Sequence, residues 1–119
     1  MIGSDKLSDM KNFAKELIAE RNWEQFHTPK NIAMSLVREA SETLEHFIWA
    51  ENDTIKNEPE RIVKIKDEMG DVLLNLLCMG EVLGIDLTEA YWEKIEKIKS
   101  KYPSEMVNGL SKYEIRKKS

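Results

Sequence analysis

The sequence predicts an all-α fold, and three observations predict it. Apolar residues recur at spacings of three and four rather than two, the period of an amphipathic helix. Only five glycines and three prolines punctuate 119 residues, which leaves room for long uninterrupted helices. The run from Val72 to Leu83, broken by Asn75 and Glu81, is apolar almost all the way round, as in a helix buried in a bundle or a subunit interface.

Four helices follow in order. Leu7, Met10, Phe13, Ala14, Leu17 and Ile18 form the stripe of a first helix over about residues 5–21, followed by an aromatic connector at Trp23, Phe26 and His27. Thr28-Pro29 supplies an N-cap and a proline at the first helical position, where a missing N–H costs nothing. A second helix therefore runs over 29–50, with an apolar arc through Ala33, Leu36, Val37, Ala40, Leu44, Phe47 and Ile48, and gives way to the polar stretch ENDTIKNE. Pro59 opens a third, over 59–83, which Gly84 stops. Asp86 and Glu89 have capping-box spacing for a fourth over 87–101, ended by Tyr102-Pro103. Beyond Pro103 few apolar anchors remain, so 103–119 reads as an irregular, mobile basic tail or flap on a single 1–119 domain.

Composition narrows the function classes. Charged residues are 34% of the chain and hydrophobic ones 41%, against a usual charged share of about 25%. The net charge of −4 argues against a coat for a nucleic-acid polymer or an anionic membrane, because both demand a cationic field. The charge is uneven: residues 1–92 carry 10 basic and 18 acidic side chains, and residues 93–119 carry 8 and 4. A lone cysteine, Cys78, forms no internal disulfide, and the start MIGSDKLSDMKNF lacks the blocks of a signal peptide. The longest apolar run falls well short of the roughly 20 residues of a membrane span. A soluble cytoplasmic protein is the expectation.

Five pairs of acids stand three residues apart, so spacing alone says little; position on the helical wheel separates them. Asp86/Glu89 is a helix start, and Glu93/Glu96 lies opposite or beside the fourth helix's apolar arc. Glu68 and Asp71 share a sector with Asn75, where burial is expected, and buried carboxylates need cations or a metal. Glu39 and Glu42 lie at one border of the second helix's apolar arc, either as a boundary ion pair with Lys or Arg or as a second ligand pair; Glu45 is on the far, solvated side. If the pairs converge, the ligand set is all oxygen and suits Mg²⁺ or Mn²⁺. A di-iron carboxylate site would want Glu-x-x-His motifs, and neither His27 nor His46 has a Glu three residues earlier. Magnesium on carboxylates points to phosphate chemistry. Lys94, Lys97 and Lys101 form a stripe that is either a solvated face or a set of phosphate partners. Trp23 and Trp49 bracket the second helix; taken alone, core packing is the simpler reading of each, and base stacking is the other. Trp92, off the fourth helix's arc, suggests a subunit contact.

At these residues the sequence resembles the all-α MazG-like nucleoside triphosphate pyrophosphohydrolases, whose signature is Glu-x-x-Glu on one helix and Glu-x-x-Asp on a later one. Here it reads Glu39-Ala40-Ser41-Glu42 and Glu68-Met69-Gly70-Asp71. The resemblance is closer to the dCTP pyrophosphatase branch and spans nearly the whole chain, through AERNWEQFHTPKNIAMSLV, HFIWA, DVLLNLL, GIDLTEA, KSKYP and SKYE.

The resemblance implies a four-helix domain whose bundle is completed by oligomerisation, as a homodimer or homotetramer. It implies cleavage of a nucleoside triphosphate, dCTP or a related pyrimidine nucleotide, to the monophosphate and pyrophosphate. Glu39, Glu42, Glu68 and Asp71 would hold Mg²⁺, with Mn²⁺ as a substitute. Trp23 and Trp49 would enclose the base, with Asn75 beside the substrate and Lys97, Lys101, Tyr102 and Lys112 near the phosphates. Arg38 and Ser41 stand where relatives carry glycine, Asn75 where a tyrosine is common, Ile98 where an asparagine is common, and Ala14 where some carry histidine. Two other readings stay open: a non-catalytic helical dimer that binds nucleotide or protein, and a pyrophosphohydrolase for dUTP or modified nucleotides.

Overall fold

The computed structural model describes residues 6–111 and Glu114, the side chain of Asn52 excepted. Helices α1 (Lys6–Glu20), α2 (Pro29–Ile48), α4 (Pro59–Leu83) and α5 (Leu87–Lys101) are the long ones, within one or two residues of the sequence prediction. Two single-turn helices, α3 (Asn52–Ile55) and α6 (Ser104–Val107), and a 3₁₀ turn at Glu24–Phe26 complete the element order. No strand occurs among the described residues, and no helix there is long and apolar enough to cross a membrane. The chain divides into two compact units, Met1–Leu87 and Thr88–Ser119.

Helix ends in the first unit follow local chemistry. After α1, Asn22 takes a left-handed conformation (φ 54°), Trp23 N–H donates to Ile18 O and Asn22 N–H to Ala19 O, both at 3.0 Å. This is the Schellman pattern, with asparagine in the role glycine usually plays. Thr28 Oγ1 accepts from Asn31 N–H at 3.1 Å and caps α2, with Pro29 as the first helical residue. Gly84 ends α4 in the left-handed region (φ 67°), and its N–H and that of Ile85 both donate to Gly80 O.

The core of this unit joins Ala14 and Ile18 of α1, Ile32 of α2 and Cys78 of α4, with Met79 packed against them. Lys15 Nζ meets Glu81 Oε1 at 3.3 Å and ties α1 to the C-terminal half of α4. Burial, and then Glu81, push the Cys78 thiol above its ordinary range, so it packs as a small apolar group rather than serving as a thiolate.

The polar stretch ENDTIKNE contains a further short helix, α3, whose Ile55 is buried, and two sequence expectations need correction. Trp23 and Trp49 are not core residues; they are 45% and 96% exposed, since each stands just past a helix end, where its ring projects beyond the packed stripe. The segment after Pro103 is not wholly irregular, because α6 forms with Val107 and Leu110 partly buried. Residues 112, 113 and 115–119 of the expected tail lie outside the described residues.

In the second unit, α5 carries Lys94, Lys97 and Lys101, all exposed. Trp92 is exposed, as the wheel predicted, and its ring meets Tyr91 edge-on at 5.1 Å between centroids.

Candidate metal centre

Helices α2 and α4 run antiparallel along one seam. Ile32 and Cys78 meet in the core. Seven residues forward on α2 and seven back on α4, two turns on each, bring Glu39 level with Asp71, and three more bring Glu42 level with Glu68. All four are partly buried. The Glu39 side chain is 12% exposed and that of Glu68 20%.

The seam concentrates negative charge. Burial raises the Asp71 carboxyl above its ordinary range, Glu39 and Asp67 add to that, and Arg38 pulls it back. Arg38 Nη2 lies 3.4 Å from Glu39 Oε1, so this exposed arginine neutralises part of the field from the rim. Glu39 thus has the boundary ion pair its position allowed, and it also faces a second carboxylate. Thr43 Oγ1 donates to Glu39 O at 3.0 Å and Asn75 Nδ2 to Asp71 O at 2.9 Å, each four residues away on its own helix.

Two residues that the sequence reading passed over belong to this seam. His46 Nε2 lies 3.1 Å from Glu68 Oε2, and Arg61 Nη1 donates to His46 O at 2.7 Å, tying the last turn of α2 to the start of α4. The signal was present: His46 is two turns beyond Glu39 and one beyond Glu42, in the same wheel sector.

The predicted site residues are not all gathered. Among the described residues, no three His, Cys, Asp or Glu side chains stand close enough together to hold a metal. The carboxylates form two levels along the seam rather than one closed cluster. Trp23 precedes α2 and Trp49 follows it, so the 20 residues of α2, about 30 Å of helix, separate the two backbones. Both rings of one chain cannot enclose one base. Lys97, Lys101 and Tyr102 belong to the second unit, where Lys101 Nζ sits 5.5 Å from the Tyr102 ring centroid. Lys112 lies outside the described residues.

The donor chemistry fits a hard divalent cation: only carboxylate oxygens, partly desolvated, with the Asp71 carboxyl destabilised in its charged form by burial first and then by Glu39 and Asp67. Between α1 and α4 a cavity of about 250 Å³ opens, lined by Ala14, Ile18, Glu24, His27, Cys78 and Glu81 among others. Cys78 is seven residues from Asp71 on the same face of α4, about 10 Å along the helix.

Residues 34–114 match the MazG-like family. The chain is 33% identical over 106 residues to dCTP pyrophosphatase 1 of Rattus norvegicus, an alignment covering 87% of this chain and 62% of that protein. It is 30% identical over 109 residues to dCTP pyrophosphatase 1 of Homo sapiens, with 89% and 64% covered. The chain thus spans somewhat under two thirds of the length of these curated relatives. The crystal structure of a pyrophosphatase from Archaeoglobus fulgidus superposes with a TM-score of 0.74 at 30% identity, covering 87% of this chain and 97% of that one.

Proposed function

The chain belongs to the MazG-like family, and from that premise we propose that it is a Mg²⁺-dependent nucleoside triphosphate pyrophosphohydrolase with dCTP or a related pyrimidine nucleotide as substrate. The observation that carries this reading is the α2–α4 seam, where Glu39 and Asp67 add to burial in raising the Asp71 carboxyl. A negative, partly desolvated seam binds a polyanion only through a cation. The names of the relatives support the same chemistry.

Glu39, Glu42, Glu68 and Asp71 would hold Mg²⁺, which when bound neutralises triphosphate charge and lowers the pKa of water. One of these carboxylates accepts the proton of a water that attacks the α-phosphorus; the bond to the bridging oxygen breaks, and the monophosphate and pyrophosphate leave. By the family resemblance, Lys97, Lys101, Lys112 and Tyr102 would serve the phosphates, the lysines offsetting charge on the departing pyrophosphate. The cavity of about 250 Å³ between α1 and α4, two turns from Asp71 with Asn75 between the two, would take the base. Trp23 of one copy and Trp49 of another complete the enclosure. A homodimer or homotetramer therefore belongs to this reading, and the exposed apolar residues of α2, namely Met34, Val37, Leu44 and Ile48, supply a surface for it.

Purified protein incubated with Mg²⁺ and a panel of nucleotides should yield the monophosphate from a pyrimidine triphosphate, and chelation should stop it. A panel led by dUTP or a modified nucleotide would move the substrate and keep the chemistry. The carboxylates' spread over two levels favours one other reading, a non-catalytic nucleotide- or protein-binding dimer of the same fold. Absence of product from every nucleotide would establish it over the enzyme.

A further inference from the structure

We propose that His46 is the positioning residue of the carboxylate seam, its Nε2–H holding one oxygen of Glu68 so that the other is presented to the cation. This rests on the metal-binding role proposed for Glu68. The contact is a cross-helix hydrogen bond of 3.1 Å between His46 Nε2 and Glu68 Oε2, with each side chain only 20% exposed. Solvent therefore competes little for either group.

His46 is itself held. Arg61 Nη1 donates to its carbonyl at 2.7 Å and Arg61 Nη2 pairs with Glu58 Oε1 at 3.4 Å. The histidine is thus fixed through its backbone from the opposite helix while its ring grips the carboxylate. A glutamate has three rotatable bonds, and one that must be ordered as the cation arrives loses side-chain entropy then. A carboxylate held beforehand loses less, and outer hydrogen bonds to metal ligands commonly account for 10- to 100-fold in affinity. An open groove of about 580 Å³, lined by His46, Lys64, Lys66, Asp67 and Glu68 among others, opens the carboxylate to solvent on one side. Nε2–H donates in the neutral tautomer that carries its proton there and in the imidazolium alike, so the role needs no change of protonation.

Nucleotide-free Mn²⁺ binding, followed by electron paramagnetic resonance on the full chain, tests this. His46→Leu, which keeps bulk and loses the donor, should weaken Mn²⁺ binding about 10-fold or more, whereas His46→Gln, whose amide donates at similar reach, should stay within about 3-fold of wild type. Unchanged Mn²⁺ binding in H46L overturns the proposal, as does equal loss in H46Q, which would show a need for imidazole itself. If H46L fails to fold by circular dichroism, H46M carries the same expectation. Glu68→Gln separates this inference from the reading beneath it. E68Q that binds Mn²⁺ like wild type removes Glu68 from the metal site altogether. A weakened E68Q beside an unaffected H46L removes only the positioning role.

Discussion

Asp71 is where the account is most exposed to test by a single side chain. Its carboxyl is raised first by burial and then by Glu39 and Asp67. A carboxyl raised in the folded state binds more protons folded than unfolded between its ordinary range and its raised value, so its contribution to stability falls as pH rises through that window and stays unfavourable above it. Asp71→Asn should therefore melt higher than wild type at neutral pH without metal, and the two melting curves should converge as pH falls to the ordinary carboxylate range. The same variant should lose turnover by more than about 100-fold, because the amide cannot supply the anionic oxygen a hard cation requires. A variant that melts lower and still turns over would mean that the carboxylate packs rather than binds. The partial burial of Glu39, Glu42, Glu68 and Asp71 was legible in the sequence, because each lies within or at the border of an apolar arc on its helical wheel. The place of His46 in the Glu39/Glu42 wheel sector was legible too, but its partner was not, because a histidine there is ordinary until the facing helix shows a glutamate 3.1 Å away.

At the scale of the helices, the sequence foretold the four long elements because punctuation and period agree: Thr28-Pro29 caps α2, Pro59 opens α4, and Gly84 closes it. It missed α3 and the 3₁₀ turn, since elements of three or four residues are too short to show a period. It also misread Trp23 and Trp49, because a wheel assigns a sector to a residue but says nothing of rings beyond a helix end. The close of α4 rests on Gly80 as well. A Cβ there would lie 2.9 Å from Ile85 O and 3.5 Å from Leu87 Cγ, so the turn into α5 would have to shift. Gly80→Ala should cost about 1–3 kcal/mol in urea unfolding. Stability equal to wild type would show that this turn is not tightly packed.

For the whole molecule, the first unit leaves much apolar surface uncovered: Phe13, Val37, Leu44, Val63 and Met69 are all exposed, and the two tryptophans assigned to one base stand at opposite ends of α2. Assembly of identical chains, as proposed above, would cover that surface and bring the two rings together, and sedimentation velocity should show a dimer or tetramer at micromolar concentration, where a monomer would contradict it. Sequence alone pointed to assembly through resemblance and through the all-round apolar stretch of α4, but it could not show which residues one chain leaves uncovered. The charge asymmetry belongs to this scale too: on the proposed reading, the acidic residues 1–92 would serve the cation and the basic residues 93–119 the phosphates, so the ligand would be a metal–triphosphate complex rather than a bare polyanion. The most direct test of that claim is turnover of dCTP with Mg²⁺ in ¹⁸O-labelled water, with both products weighed by mass spectrometry. The account predicts one ¹⁸O atom in the monophosphate and none in the pyrophosphate, because water attacks the α-phosphorus. Label in pyrophosphate or inorganic phosphate, or no monophosphate at all, would contradict it.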